Sequence, residues 1–235
     1  MDSFDLDFDS FVLAAATDRL DVEPAARTDA DAVEFRLDLA ADPLAELAAY
    51  DGELPLIVTN RAQWEGGEAT DEAIRLETLE SALEFECVAA VDLELAALDG
   101  SEPAAAVSRA REVRTAARAA GTTVIASVHD FESTPPVKTL SALLDRAASE
   151  GDVGKLATTA HSREDALALL TATHEATAGG RTVATMAMGA AGQHTRAVAP
   201  VYGSKIGYAP VDPADATAPG QYPLASLRRL VDALG

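Results

Sequence analysis

Lys155 and His129 are the two side chains whose types and setting could do covalent chemistry together. Only Lys138, Lys155 and Lys205 are lysines among eighteen basic residues; the other fifteen are arginines. Lys155 lies in Gly151-Asp152-Val153-Gly154-Lys155-Leu156-Ala157, where strand alternation sets Val153, Lys155 and Ala157 on one face and Leu156 on the other. An arginine-rich chain that keeps an amine at an inward strand position retains a group that can shed its proton, which a guanidinium cannot do. Desolvation favours the neutral amine and exposes a nucleophilic lone pair, the requirement for adding to a carbonyl carbon. A lysine snorkelling from a strand end is the structural alternative. His129 ends the preceding β-rich run, Ile125-Ala126-Ser127-Val128-His129, 26 residues before Lys155. That distance is one strand–helix unit, so two neighbouring strands, about 4.8 Å apart, would carry the pair on either side of one small substrate. A strand-end histidine on its own is more often a surface residue; the inward lysine one strand away shifts the reading toward a base. His161, His174 and His194 fall on or near helical segments and read as solvent-side residues.

The same alternation places charges where a core would exclude them. In Ala32–Asp38, Val33, Phe35 and Leu37 share one face, and Glu34, Arg36 and Asp38 share the other. In Val88–Leu95, Val91, Leu93 and Leu95 oppose Asp92 and Glu94. Ionised groups on an inward face are tolerated only when paired or at a wet mouth. A structural ion-pair layer explains the first strand as well as a substrate site does; a second such strand favours a site.

The elements that must position these residues alternate along the whole chain. Strands are expected at Phe11–Ala16, Ala32–Asp38, Pro55–Asn60, Val88–Leu95, Thr122–His129, Val153–Thr158, Thr182–Met188 and Val201–Tyr208. Helical segments fall near 24–30, 43–50, 71–86, 103–120, 136–149, 162–178, 192–198 and 223–234. Pro43, Pro103 and Pro136 mark helix starts, and Gly121 a helix end. No Ser/Gly/Pro linker interrupts the series, so residues 1–235 read as a single domain. Eight strand–helix units predict an α/β fold, a (βα)8 TIM barrel with its site at the C-terminal ends of the strands. An open doubly wound sheet is the rival, disfavoured because no G-x-G-x-x-G or P-loop follows an early strand.

Composition narrows the partners. The chain has 235 residues, 48% hydrophobic but only 5% aromatic, and a formal net charge of −21. That field repels nucleic-acid backbones and anionic membrane surfaces alike, so neither is an expected partner. Acid excess with few lysines resembles the composition of proteins from salt-loving cells, where multimolar salt cuts the Debye length to about 3 Å; ordinary acidic solubility is the alternative. A single cysteine, Cys87, the absence of a signal-like start and of a long apolar run point to a cytoplasmic protein. No Cys/His cluster has zinc-site spacing, so no metal ligands are expected.

At this point the chain resembles the type I 3-dehydroquinate dehydratases, Schiff-base enzymes of the shikimate pathway with a (βα)8 barrel. Glu34-Phe35-Arg36-Leu37-Asp38 is similar to the family's E-x-R-x-D strand, and Thr59-Asn60-Arg61 followed by Glu65-Gly66-Gly67 to its T-x-R…E-G-G segment. Ser127-Val128-His129-Asp130-Phe131 with Thr134-Pro135 resembles its S-x-H-D-F…T-P strand end, and Asp152–Ala157 its lysine strand. Met186-Ala187-Met188-Gly189 leading to Arg196, Tyr202-Gly203-Ser204 and Ala218-Pro219-Gly220-Gln221 complete seven fragments in order.

The resemblance implies a small-molecule substrate, 3-dehydroquinate, and no cofactor. It implies an imine at Lys155, proton abstraction by His129, and Glu65 as the group that orients His129. Arg196 and Gln221 would hold the substrate carboxylate, Glu34, Arg36 and Arg61 the ring hydroxyls, and Thr217 would also bind substrate. It further implies a homodimer and a lid over 212–221. Departures are visible: Ala14-Ala15-Ala16 stands where the family commonly offers a serine, so that hydrogen bond is absent or moved to Thr17. Thr195 and Thr217 stand where serine is usual, and the N-terminal hairpin that can cap the barrel bottom is shortened or missing. A class I aldolase is the nearest alternative enzyme, but no Gly-rich phosphate cradle accompanies Gly203-Ser204. A catalytically silent barrel acting as a binding module is the non-enzyme alternative, against which the His129/Lys155 pair argues.

A charge of −21 must repel an anionic substrate. The prediction is that salt lowers KM by screening that repulsion, separately from any effect on folding. Steady-state kinetics across salt at constant folded fraction test it, and a KM that stays flat or rises would refute the screening argument.

Overall fold

A computed structural model describes residues 4–102, 104–212, 214 and 220–235. Its eight strands are β1 (Val12–Thr17), β2 (Ala32–Arg36), β3 (Leu56–Thr59), β4 (Val88–Glu94), β5 (Thr123–Asp130), β6 (Val153–Thr159), β7 (Val183–Met188) and β8 (Ile206–Pro210). Every paired strand runs parallel, in the order β7-β6-β5-β4-β3-β2-β1-β8. The ring closes through a bridge between Val183 and Ser204, with the Lys205 amide donating to the Val183 carbonyl at 2.8 Å. This is the expected (βα)8 barrel.

The helices among the described residues are α1 (Glu23–Ala26), α2 (Pro43–Ala49), α3 (Glu72–Ala82), α4 (Leu95–Asp99), α5 (Val107–Ala120), α6 (Val137–Glu150), α7 (Arg163–Ala178), α8 (Thr195–Val198) and α9 (Leu224–Leu234). Local chemistry starts several of them. Asp42 accepts from the Ala45 amide ahead of Pro43, Asp71 accepts from the Ala73 and Ile74 amides, and Ser162 with Asp165 forms a reciprocal capping box. Gly121 follows α5 as expected. The helix expected from 103 starts instead at Val107, after the separate turn of α4; Pro103 lies outside the described residues.

Strand alternation sorts the side chains into two cores. Val33, Phe35, Leu37, Val91, Leu93 and Leu95 pack outward against the helices. Burying each such side chain contributes roughly 1.5–3 kcal/mol, which is what holds the helical ring to the sheet. Val12, Ile57, Ile125, Val153, Ala184 and Ile206 fill the barrel interior instead, and Phe8 joins them from below, with Leu6 packed beside it. No strand precedes β1 among the described residues, and these two apolar side chains take the place of a capping hairpin.

One strand departs from expectation. The run expected as Val201–Tyr208 is strand only from Ile206, because Ala199–Tyr202 forms a 3-10 turn continuing from α8. β8 is correspondingly short and presents Tyr208 to the interior.

Helix α3 reaches the barrel through a charge. Arg75 is fully buried, donating from Nη1 to Glu94 Oε2 at 2.7 Å and to the Asn60 carbonyl at 3.1 Å. Asn60 Nδ2 returns a bond to the Arg75 carbonyl at 3.0 Å. Removing one partner of a buried pair strands the other charge, so Arg75→Met is predicted to lower stability by about 3–5 kcal/mol. Urea unfolding at fixed salt checks this; a loss below about 1 kcal/mol, the range of screened pairs, would contradict it.

Candidate active site

The C-terminal ends of the strands surround one cavity. Its lining includes Glu34, Arg36, Arg61, Glu65, His129, Lys155, Arg196 and Gln221, eight side chains scattered over 188 positions of sequence. Thr217, the ninth residue expected here, lies outside the described residues, as does most of the segment 212–221.

Lys155 points inward from the middle of β6, 4% exposed. Its amine is buried, as expected, but not bare: Nζ donates to Asp92 Oδ2 at 2.8 Å and lies 3.8 Å from Glu34 Oε1. Ser127 is its register partner on β5, whereas His129 pairs with Ala157, so the imidazole stands one inward layer nearer the mouth. Lys155 thus approaches a cavity occupant from below and His129 from above and to one side.

Asp92 is the hub beneath both. Oδ1 accepts from Arg61 Nη2 at 2.7 Å and from Ser127 Oγ at 2.6 Å, while Oδ2 takes Lys155. Arg61 Nη1 bonds Ser127 Oγ at 2.8 Å and Glu94 Oε1 at 3.1 Å, and Glu94 also holds the Ala62 amide and Arg75. Thr59 Oγ1 donates to Glu34 Oε1 at 3.0 Å. Burial alone would push Asp92 up, but Arg61 and Lys155 hold its carboxyl well below the usual range. Alternation had put Asp92 and Glu94 inward without giving them a task; Asp92 proves to be the lysine's counter-ion.

Glu65 and His129 form the second layer. His129 Nδ1 and Glu65 Oε1 are 2.8 Å apart, which leaves the other ring nitrogen to the cavity. Burial pushes the Glu65 carboxyl up to about 8; Arg61 pulls it back, and Glu94 and Asp92 add to the rise. Three cations, Arg61, Arg75 and Lys155, already face three carboxylates, Glu34, Asp92 and Glu94, so a fourth buried carboxylate has no counter-charge to itself. Burial, with Arg61 and Lys155 nearby, holds His129 well below the ordinary imidazole value, so it stands neutral and able to accept a proton.

The loop carrying Glu65 explains its own glycines. Gly66 has φ +82°, and a side chain on it would meet the Phe131 ring at 2.5 Å. A Cβ on Gly67 would lie 2.1 Å from the Arg61 carbonyl oxygen. Phe131 in turn stacks on His129 with ring centroids 5.9 Å apart. Arg36 is held by a paired contact with Asp38 at 2.8 and 2.6 Å, and Asp38 also accepts the Glu68 amide.

Two threonines have other tasks. Thr17 bonds the Arg19 backbone at 3.1 Å and does not line this cavity, so it is no stand-in for the serine missing from β1. Thr195 Oγ1 donates to the Gly192 carbonyl and accepts the Ala187 amide. Arg196, the next residue, is buried at the rim; burial brings its guanidinium down to about 10, which leaves it a cation at neutral pH. His161, His174 and His194 are exposed, as read. No helix among the described residues is long and apolar enough to cross a membrane.

The chain is 62% identical over 229 residues to a 3-dehydroquinate dehydratase of Haloarcula marismortui, covering 97% of this chain and 98% of that one. It is 52% identical over 226 residues to that of Halobacterium salinarum, covering 96% and 98%. The crystal structure of 3-dehydroquinate dehydratase from Geobacillus kaustophilus superposes with a TM-score of 0.82 at 28% identity, covering 96% of this chain and 91% of that one. The family model of type I 3-dehydroquinase matches residues 13–235, and this chain belongs to that family.

Proposed function

We propose that this protein dehydrates 3-dehydroquinate to 3-dehydroshikimate through an imine on Lys155. The observation that carries the reading is the lysine and the histidine on neighbouring strands of one cavity, with Glu65 fixing the ring from behind.

The Lys155 amine adds to the C3 ketone, and loss of that oxygen as water leaves a protonated imine. A cation occupies the same place before and after, so Asp92 at 2.8 Å pairs with ammonium and iminium alike and needs no rearrangement. The iminium draws electrons from the neighbouring C2–H bond. His129, neutral and one layer above, takes the C2 proton, a contribution of roughly 10²–10⁴-fold in rate. The electron pair forms an enamine, which expels the C1 hydroxyl; His129 returns its proton to that oxygen as it departs as water. Hydrolysis of the imine then frees the product and restores the amine.

Arg196 and Gln221 bind the substrate carboxylate, a role that suits a permanently charged guanidinium with a fork of donors. Glu34 meets a ring hydroxyl with Oε2, since its Oε1 accepts from Thr59. Arg36 and Arg61 face the ring from guanidinium groups held by Asp38 and Asp92. Their positions are set by neighbours before substrate arrives, so binding carries little cost of ordering them.

Intact-mass measurement after borohydride reduction with 3-dehydroquinate tests the assignment. A substrate-derived adduct is expected on the Lys155 peptide and absent from Lys155→Ala; an adduct on Lys138 or Lys205 would move the nucleophile elsewhere. Absorbance of the product enone reports dehydration, and His129→Ala is expected to slow it more than imine formation.

The raised Glu65 carboxyl sets a pH dependence. Below about 8 it is neutral, and above it the charge strengthens His129 as a base, the two titrating as one hydrogen-bonded unit. The kcat/KM of the free enzyme should therefore climb as pH passes about 8, and Glu65→Gln should flatten that limb. An unchanged limb in Glu65→Gln would assign the titration to another group.

A further inference from the structure

Tyr208 belongs to none of the roles above, yet it lies against the nucleophile. It projects from β8 into the barrel, 4% exposed, and lines the same cavity as Lys155. The Lys155 amine stands over its ring, 4.4 Å from the centroid. That contact accounts for an aromatic ring at this position, and a phenylalanine would provide it equally well. The hydroxyl is unexplained: it is buried and has no hydrogen-bond partner among the described residues. A hydroxyl left in that condition carries a desolvation cost of about 1–3 kcal/mol.

Of the two nearby carboxylates, Asp92 is engaged through both oxygens, accepting from Arg61, Ser127 and Lys155, and Glu34 through Oε1, accepting from Thr59. Burial, with Glu34 and Asp92 nearby, keeps the phenol protonated far above its ordinary range, so at neutral pH it is a donor. A donor without a protein partner, in the cavity and beside the amine, fits an oxygen that arrives with the substrate.

We infer that Tyr208 is a catalytic residue, whose hydroxyl donates a hydrogen bond to the ketone oxygen of the carbon that Lys155 attacks. As the nitrogen lone pair forms the C–N bond, the carbonyl π pair moves onto that oxygen, and the bond from Tyr208 strengthens with the growing charge. The oxygen takes a proton to become the carbinolamine hydroxyl, takes a second, and leaves as water when the C–O bond breaks. Tyr208 keeps its own proton throughout; the two protons are those the Lys155 ammonium gives up on becoming the iminium, which retains the third. The inference rests on the imine reading above and adds to it the group that stabilises oxygen during imine formation.

Tyr208→Phe is the test, because it retains the ring and removes only the hydroxyl. Imine formation, followed by rapid-quench borohydride trapping with 3-dehydroquinate, should slow roughly 100-fold, the loss typical of one donor to a developing oxyanion. Stability in urea should stay level or rise, since the deleted hydroxyl had no bond to lose. A trapping rate equal to wild type overturns the inference, whatever happens to KM, and so does a slowed rate accompanied by lost stability. Wild-type protein that dehydrates the substrate without any trapped adduct would instead overturn the imine reading itself.

Discussion

A single carboxylate, Asp92, is shared between a guanidinium and an amine in a place where water cannot help either of them. Moving an ion out of water carries a penalty of several kcal/mol, and only pairing offsets it. Once the barrel buries Lys155, Asp92 must face it; once Asp92 is buried, Arg61 fits it with a second charge, and Glu94 and Arg75 extend the chain to α3. Positions of the Lys155 amine, its counter-ion and the Arg61 guanidinium are thus set by one electrostatic demand. Glu65 stands at the end of this chain, 3.9 Å from Arg61, where the opposite charge is already spoken for. Its raised titration and its bond to His129 follow from that shortage.

Loops above the barrel repeat the same economy of parts. The β3–α3 loop sets Glu65 beside His129, and the glycine after it leaves room for the phenyl ring that the β5 end lays over the imidazole. His129 is consequently clamped between a polar contact and an aromatic face supplied by two different loops. An imidazole held in this way has little rotamer freedom left to lose and presents one fixed orientation to the cavity.

Much of this architecture can be read from the residues, and the limits of that reading are physical. Period-two alternation is local, so Glu34, Arg36, Asp92, Glu94 and Lys155 were recognisable as inward-facing from a few neighbours each. Pairing is not local: Asp92 meets Lys155 across 63 residues, and no spacing rule announces that contact. No local pattern singles out Arg75, which is fully buried because α3 lies over the β3 and β4 ends. Tyr208 escaped notice because an aromatic in an apolar run carries no signal of an unbonded hydroxyl. The run itself was drawn five residues too early, since Val201–Lys205 mixes β-formers with a turn decided by packing after α8. Thr17 offers a hydroxyl at the end of β1, but it follows Leu13 and Ala15 on the outward face, opposite Val12 and Ala14, and bonds the Arg19 backbone instead.

The closure between β7 and β8 has its own consequence. On that edge of β7 the Thr185 amide donates to Ser204 Oγ at 2.9 Å and the Ala187 amide to Thr195 Oγ1 at 2.8 Å, so two hydroxyls serve where a partner strand's carbonyls would otherwise stand. The ring is therefore stitched rather than woven at this one edge, beside Arg196. Seven junctions are laddered strand to strand and the eighth depends on two hydroxyls, so closure there is a matter of side-chain chemistry, whereas the β5–β6 junction that spaces the imidazole from the amine is held by backbone alone.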